Sequence, residues 1–408
     1  MNAGPLAGLR VVEVSAFVAA PLSGMTLAQL GAEVIRIDPI GGNIDVNRWP
    51  LTAEGSSIYW SSLNKGKRSI TLDLETEAGQ RLATELICAP GEGAGIVVTN
   101  LPGRGWLDYD SLRAQRADVI VVTLTGNHDG SPAVDYTVNP SSGFPTATGP
   151  PGGVTNHVLP AWDVAAGLYL ALAVVGAERE RRATGEGQAV TLALSDVMLA
   201  TVANLGYLAE VQVNDTGREP TGNYVYGAFG RDFATADGRR VMIAAMTGRQ
   251  WTAITTATRL AERLAHIEPM LGVDLSTDGG RYQAREAIAA VLSPWFARHA
   301  LSEIEDLLTR HHVLYGVYRD FGQLVAEDPR CSLANPLFAA VDQPGIGKVL
   351  TPRSPMAFGR GGPGPAAAPV LGGDTAAVLT EHLGRTSEQV RSLLGRNVVS
   401  DPTCGATT

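Results

Sequence analysis

Cysteine is scarce in this chain: three residues among 408, Cys88, Cys331 and Cys404, far apart and odd in number. A disulfide framework is therefore excluded as the organising principle, no zinc-type spacing arises, and a reducing compartment is expected. Basic residues are also short, 32 Lys and Arg against 41 Asp and Glu for a net charge of -9. Nucleic acid is not an expected partner, because neutralising phosphates needs a surplus of cations on one face. No apolar run reaches the roughly 18 residues of a membrane span, and no apolar stretch follows a basic start at the N-terminus. A cytoplasmic protein with no membrane partner is expected. The common motifs are missing too. The first loop after an apolar run, Ser15 to Pro21, lacks the spaced glycines of a dinucleotide site, and no G-x-x-x-x-G-K-[ST] or G-x-S-x-G occurs. His311 and His312 are adjacent, so they point to different sides of a regular element, and no H-x-x-x-H pair exists; no metal site is expected.

What is present describes a folded protein: 45% hydrophobic and 18% charged residues, on a chain long enough for two or three domains. Leu9 to Val14, Pro21 to Leu30 and Glu33 to Ile37 read as strand, helix, strand, with Gly31 closing the helix. The pattern returns in Ser69 to Leu74, Thr76 to Ile87, Ile96 to Thr99, Tyr109 to Gln115 and Val119 to Leu124. Alternation of this kind predicts an α/β fold with a parallel sheet. A loop-rich stretch, Gly126 to Pro160, leads into a long apolar helix from Val164 to about Glu180, with Asp163 at its N-cap; Ala189 to Leu194 reads as a strand, and Ser195 or Asp196 as the cap of the next helix. From about Tyr226 to Arg319 the chain reads as a smaller α+β unit, and a Gly/Pro/Ala linker, Gly359 to Ala368, precedes a helix at Thr375 to Leu383. The expected division is 1–225 for a large domain, 226–330 for a small one, and 331–408 for a segment that returns to the large domain.

In open α/β sheets ligands sit beyond the carboxyl ends of the strands, so the loops after Val14, Leu74, Thr99 and Leu124 are the places to search. The run from Gly149 to Gly153 follows no strand and opens no helix, and reads as a turn. Asn100 and Arg104 stand at and just after a strand end, and the basic cluster Asn64-Lys65-Gly66-Lys67-Arg68 is either a solvated turn or a phosphate contact. Asp163 is by itself a helix cap, stabilising by about 0.5–2 kcal/mol. The same position also gives a carboxylate a fixed orientation and helix-dipole stabilisation, which a nucleophile can use.

Several segments together resemble the class III CoA-transferase family, the CaiB/BaiF type. They are Pro5-Leu6-Ala7-Gly8-Leu9-Arg10-Val11-Val12-Glu13, Leu30-Gly31-Ala32-Glu33-Val34-Ile35-Arg36-Ile37, Asn64 with Lys67-Arg68-Ser69-Ile70 and Leu72-Asp73-Leu74, then Asp163 with Gly167, Arg182, Thr184-Gly185-Glu186-Gly187-Gln188 and Ser195-Asp196, and finally Pro369-Val370-Leu371-Gly372 with Thr375. The resemblance implies a Rossmann-like large domain, a smaller α+β domain and an interlocked homodimer. It implies that Asp163 is the nucleophile, that Phe17, Val18, Leu72, Asn100 and Leu101 contact coenzyme A, and that Arg104 lies close to an expected arginine. Coenzyme A then enters as part of the acyl-CoA substrate, with no permanently bound cofactor. One departure is Pro39, where the family often has a basic residue after the second strand; Arg48 or Lys67 is the replacement in that reading.

Racemases of the same family place a histidine where this chain has Val134, before Asp135, and a glutamate in the region of Met246-Thr247-Gly248, where no carboxylate occurs. Proton transfer needs both halves of an acid/base pair, so CoA transfer is the better reading. The strings Val14 to Leu22, Asn64 to Ile70, Asn156 to Asp163 and Tyr226 to Phe233 further resemble a subgroup that moves CoA between the two carboxyl groups of one branched unsaturated diacid. Arg48 or Arg231 is the candidate for its second carboxylate. Transfer between two different acids is the alternative, and it uses the same residues.

Overall fold

The computed structural model describes residues 4–101 and 105–403; Arg104 and Cys404 lie outside the described residues. The strands are β1 (Arg10–Val14), β2 (Glu33–Pro39), β3 (Arg68–Leu72), β4 (Ile96–Thr99), β5 (Ile120–Thr125), β6 (Gln188–Ala193), β7 (Phe229–Ala234), β8 (Arg240–Ala245), β9 (Leu314–Val317), β10 (Phe338–Gln343), β11 (Gly347–Pro352) and β12 (Val399–Ser400). Contacts divide the chain into two units. The first takes the chain up to Ser142, Val158–Ala209 and everything from Pro329 on; the second takes Gly143–His157 and Glu210–Asp328. Residues 210–225 and 143–157 thus group with the second unit, not with the first, where the sequence reading puts them.

The first unit is built on a seven-stranded sheet in the order β12-β3-β2-β1-β4-β5-β6, parallel except for β12. Near-continuous apolar runs suit strands covered on both faces. Val12 and Val14, Ile35 and Ile37, Ile70 and Leu72 line one face, under the helices Glu77–Cys88, Thr375–Leu383 and Ser387–Gly395. The other face is covered by the helices Ala19–Gln29 and Ala161–Thr184. Period-2 alternation puts charged residues on that second face, and the register sets Glu13 of β1 beside Arg36 of β2. Gly24 lies over them; a Cβ there would stand 1.7 Å from Glu13 Oε2.

The helix Ala161–Thr184 is long and apolar enough to cross a membrane by length and composition. Here Ala166, Leu170 and Val174 are buried, and Gly167 permits close approach to the helix Ala19–Gln29, since a Cβ there would be 2.7 Å from the Ala19 carbonyl oxygen. Arg181 in its last turn is buried and donates to the carbonyls of Ala94 (2.7 Å) and Asp118 (3.2 Å). It is a core helix of the first unit. Its start differs from the sequence reading: Pro160 is the N-cap and Asp163 lies inside the first turn. Likewise Ala193, not Ser195 or Asp196, precedes the helix Leu194–Asn204, with no side-chain cap.

The C-terminal segment closes the open edge at β3. Ser69 N–H donates to Asp374 Oδ2 (2.9 Å), Thr71 N–H to Thr375 Oγ1 (3.2 Å), and Gly372 N–H to Ser69 Oγ (2.9 Å). Gly372 adopts φ +71°, a conformation open to glycine without strain. β12 then pairs with β3, and the β10–β11 hairpin forms earlier in the same segment; neither was expected from the sequence.

The second unit is a three-stranded antiparallel sheet, β7-β8-β9. Phe229, Ile243, Trp251, Ile288, Phe296 and Ile304 form its core, with Phe233 stacked on Phe296 at 4.4 Å.

Candidate active site

In the strand order of the large sheet, β1 lies next to β4, so the connections leaving their carboxyl ends run in opposite directions and open a crevice. Ser15 to Val18 and Asn100 stand there. Asn100 Oδ1 accepts the Ala16 N–H at 3.0 Å and its Nδ2 donates to the Ala16 carbonyl at 2.8 Å. The side chain therefore fixes the loop; what a ligand meets is the loop so held. Phe17 has φ +67°, unusual for a bulky residue, and its N–H donates to Asp45 Oδ2 at 3.1 Å. Val18 caps the helix Ala19–Gln29. Leu101 is partly buried on the core, and the Leu72 side chain is wholly inside it.

Beneath the loop lies a buried cluster of charges. Arg36 pairs with Asp38 (2.8 Å), Asp45 (3.0 Å) and Glu13 (3.5 Å) and donates to Ser15 O (3.2 Å) and Asn64 Oδ1 (3.1 Å). Burial alone would weaken its charge, but the carboxylates of Asp38, Glu13 and Asp45 outweigh it and hold its pKa above the ordinary value. Lys67, expected as a possible phosphate contact, belongs to the same cluster. Its Nζ donates to Glu13 (2.8 Å), Pro21 O (2.8 Å) and Asn64 Oδ1 (2.8 Å), with none of its side chain exposed. An ammonium has three donors, so none is left for a ligand, and burial lowers its pKa to about 8.

Asp163 is the carboxylate that the fold leaves open. Its backbone N–H and that of Trp162 both donate to Asp135 Oδ2, at 3.2 and 2.8 Å. Asp135, almost fully buried, thus caps the helix that carries Asp163. Trp162 Nε1 donates to Asn139 Oδ1 at 3.1 Å, which fixes the neighbouring ring. Among the described residues no donor bonds the Asp163 carboxylate itself. Burial raises its pKa to about 7, the Asp135 charge adds to the rise, and Arg48 opposes it. Above that pH the group is an ionised and poorly solvated carboxylate, the state a nucleophile needs. The N–H groups of Trp162 and Asp163 are already taken by Asp135 and are not free to serve as oxyanion donors.

This arrangement predicts the pH profile. The rate should rise as pH increases through about 7, as Asp163 ionises. Asp135→Asn keeps an oxygen for the two N–H groups and removes the like charge, so the acid limb of kcat should move to lower pH. An unchanged midpoint in a kcat-pH series would show that Asp163 is not the group titrating.

Arg48 stacks over Phe17 and Tyr59, 5.5 and 5.1 Å from the ring centroids. Arg231 belongs to the second unit, where it donates to Tyr224 Oη (2.6 Å) and Asp232 O (3.2 Å). Among the described residues one cluster has metal-ligand chemistry, Glu33, Glu381 and His382. Arg68 already pairs with both glutamates (2.7 and 2.8 Å), and Arg10 lies 2.8 Å from His382 Nδ1, so it is an ion-pair cluster. Sequence reasoning missed Arg36, Asp45, Asp135 and Tyr59 as parts of the site. A charged residue inside the apolar run Val34 to Ile37 was a signal for the first; Tyr59 offered none.

A Rossmann-order sheet with an open, half-buried aspartate beside its crevice suits acyl transfer through a carboxylate, and the chain belongs to CoA-transferase family III, whose sequence model matches residues 6–375. Among its relatives is the 2-methylfumaryl-CoA isomerase of Chloroflexus aurantiacus, 52% identical over 403 residues that cover 98% of each chain. The succinyl-CoA–D-citramalate CoA-transferase of the same organism is 27% identical, covering 97% of this chain and 98% of the relative. The crystal structure of a CaiB/BaiF family protein from Brucella suis superposes with a TM-score of 0.77 at 26% identity, over 93% of this chain and 99% of the other.

Proposed function

We propose that this protein moves CoA between the two carboxyl groups of 2-methylfumarate (mesaconate), through covalent intermediates on Asp163. The observation that carries the reading is the Asp163 carboxylate itself, half buried and without a bonded donor among the described residues, on a capped and rigid helix start. The choice of acid follows the 52% identical relative. In the first step an Asp163 oxygen attacks the thioester carbonyl, giving a mixed anhydride and CoA thiolate. The thiolate attacks the aspartyl carbonyl, releasing the diacid and leaving an aspartyl-CoA thioester. The other carboxylate of the diacid then attacks that thioester, and the expelled thiolate returns to the acyl carbonyl of the new anhydride, freeing Asp163. The thioester's energy is conserved throughout as anhydride or thioester, so the steps call for no redox or metal group, only the exclusion of water. Phe17, Val18, Asn100, Leu101 and Arg104 are proposed to frame the coenzyme, together with the backbone of Leu72, whose side chain is buried in the core.

The acyl-CoA pool places the enzyme in the cytoplasm in this reading. A homodimer is proposed as well, and Leu168, Leu172, Leu199 and Leu205, between 48% and 64% exposed, supply an apolar surface for it.

The test is incubation with 2-methylfumaryl-CoA, with and without labelled free mesaconate, following thioesters by chromatography and the protein by intact mass. Conversion to the isomeric thioester without uptake of label is expected. Label in the product would make the enzyme an intermolecular transferase, and no reaction would sink the choice of acid.

A further inference from the structure

We propose that Arg48 determines specificity by binding the free carboxylate of the diacid while the other end reacts at Asp163, and that Asp45 positions it. The inference rests on the diacid reading above.

Arg48 is built as a ligand for an anion. Its guanidinium lies over the rings of Phe17 and Tyr59, at 5.5 and 5.1 Å; contact with ring faces holds the plane and leaves the N–H edge directed elsewhere. Among the described residues no hydrogen-bond or ion-pair partner of that edge is found. Arg36 shows the contrast, with three carboxylates around it. The Arg48 loop is anchored at both sides. Arg48 N–H donates to Asp45 O (3.2 Å), and Ser57 Oγ donates to the Arg48 carbonyl (2.6 Å). The Asp45 carboxylate in turn accepts from Arg36 (3.0 Å) and from Phe17 N–H (3.1 Å). One residue therefore holds both sides, its main-chain carbonyl the Arg48 backbone and its carboxylate the backbone of Phe17, whose ring lies beneath the guanidinium.

Its place relative to the nucleophile also fits. Arg48 is near enough for its charge to act on Asp163, yet no ion pair joins them. Once the aspartyl-CoA thioester forms, the released diacid carries two negative charges, one of which a cation in the site would offset. A single fork-shaped guanidinium serves both halves of the reaction, because the trans diacid turns end over end and presents its other carboxylate to the same place. Arg231, the other candidate, already donates to Tyr224 and Asp232.

The experiment measures single-turnover formation of the Asp163 adduct by intact mass from two thioesters. One is 2-methylfumaryl-CoA; the other is tiglyl-CoA, the same skeleton with a methyl group in place of the free carboxyl. Wild type should favour the diacid ester. Arg48→Gln should slow the diacid ester about a hundredfold, the scale for losing one desolvated charge partner, while tiglyl-CoA changes by less than about threefold. Arg48→Lys should fall between, because a point charge loses the bidentate geometry. The tiglyl-CoA rate reports on folding within the same variant. Equal losses on both esters, or a preference surviving in Arg48→Gln, overturn the assignment of Arg48 while leaving the diacid reading in place. A wild type without preference for the diacid ester overturns both.

Discussion

Asp163→Ala and Asp163→Asn are each expected to lose at least about a thousandfold in kcat, or roughly 4 kcal/mol of transition-state stabilisation, together with the hydroxylamine-sensitive adduct in wild-type reactions. No neighbouring carboxylate replaces it: Asp135 is buried and holds the helix N–H groups, and Asp45 is bound to Arg36 and Phe17. The same substitution should affect stability in the opposite direction. The folded pKa of Asp163 is raised to about 7, above the unfolded value of about 3.9. The fold therefore prefers the protonated carboxyl, and that stabilisation is full below the unfolded pKa and lost as pH rises through about 7. Asparagine keeps the neutral state at every pH. Asp163→Asn should unfold at a higher temperature than wild type at pH 8, with the difference shrinking toward pH 4. Retained activity in Asp163→Asn would eliminate the nucleophile; an unchanged thermal midpoint at pH 8 would show that the carboxylate is better solvated than its burial implies.

The largest loss of stability is expected from Arg36→Met. This change leaves Glu13, Asp38 and Asp45 buried without their shared cation. Removing one partner of a buried pair typically costs about 3–5 kcal/mol, and here Asp38 and Asp45 lose their cation while Glu13 keeps only Lys67. Asp45 also orders the Arg48 loop and Phe17, so whatever protein folds should bind acyl-CoA poorly. Arg68→Met is the matched control. Arg68 pairs with Glu33 and Glu381 at 2.7 and 2.8 Å, but in a partly exposed place, where ion pairs contribute about 0–1 kcal/mol. Thermal and urea unfolding of the two variants side by side gives the comparison, and equal midpoints would contradict the importance given to the buried cluster.

The fold was legible where local pattern and packing agree. Apolar runs at Val11 to Val14, Val34 to Ile37 and Ile96 to Thr99 became central parallel strands because both faces of the sheet are covered. Asp163 was singled out by the chain pattern around it. Its helix start was not, because the cap comes from Asp135, 28 residues earlier, and Pro160 gives no side-chain signal. Lys67 looked like a solvated cation in a basic cluster. The strand that follows it turns its side chain inward to Glu13, 54 residues away, and only the folded register of β1, β2 and β3 reveals that.

By itself, the sequence determined the class of fold and the family, since these depend on local hydrophobic period and on residues in fixed order along the chain, and it singled out Asp163 as the nucleophile proposed here. Tertiary structure alone decided which charges are structural and which remain open to a ligand. Arg36, Lys67 and Arg48 are all cations near one crevice, but a cation's role depends on the carboxylates and rings placed around it from distant segments, and on how much water remains.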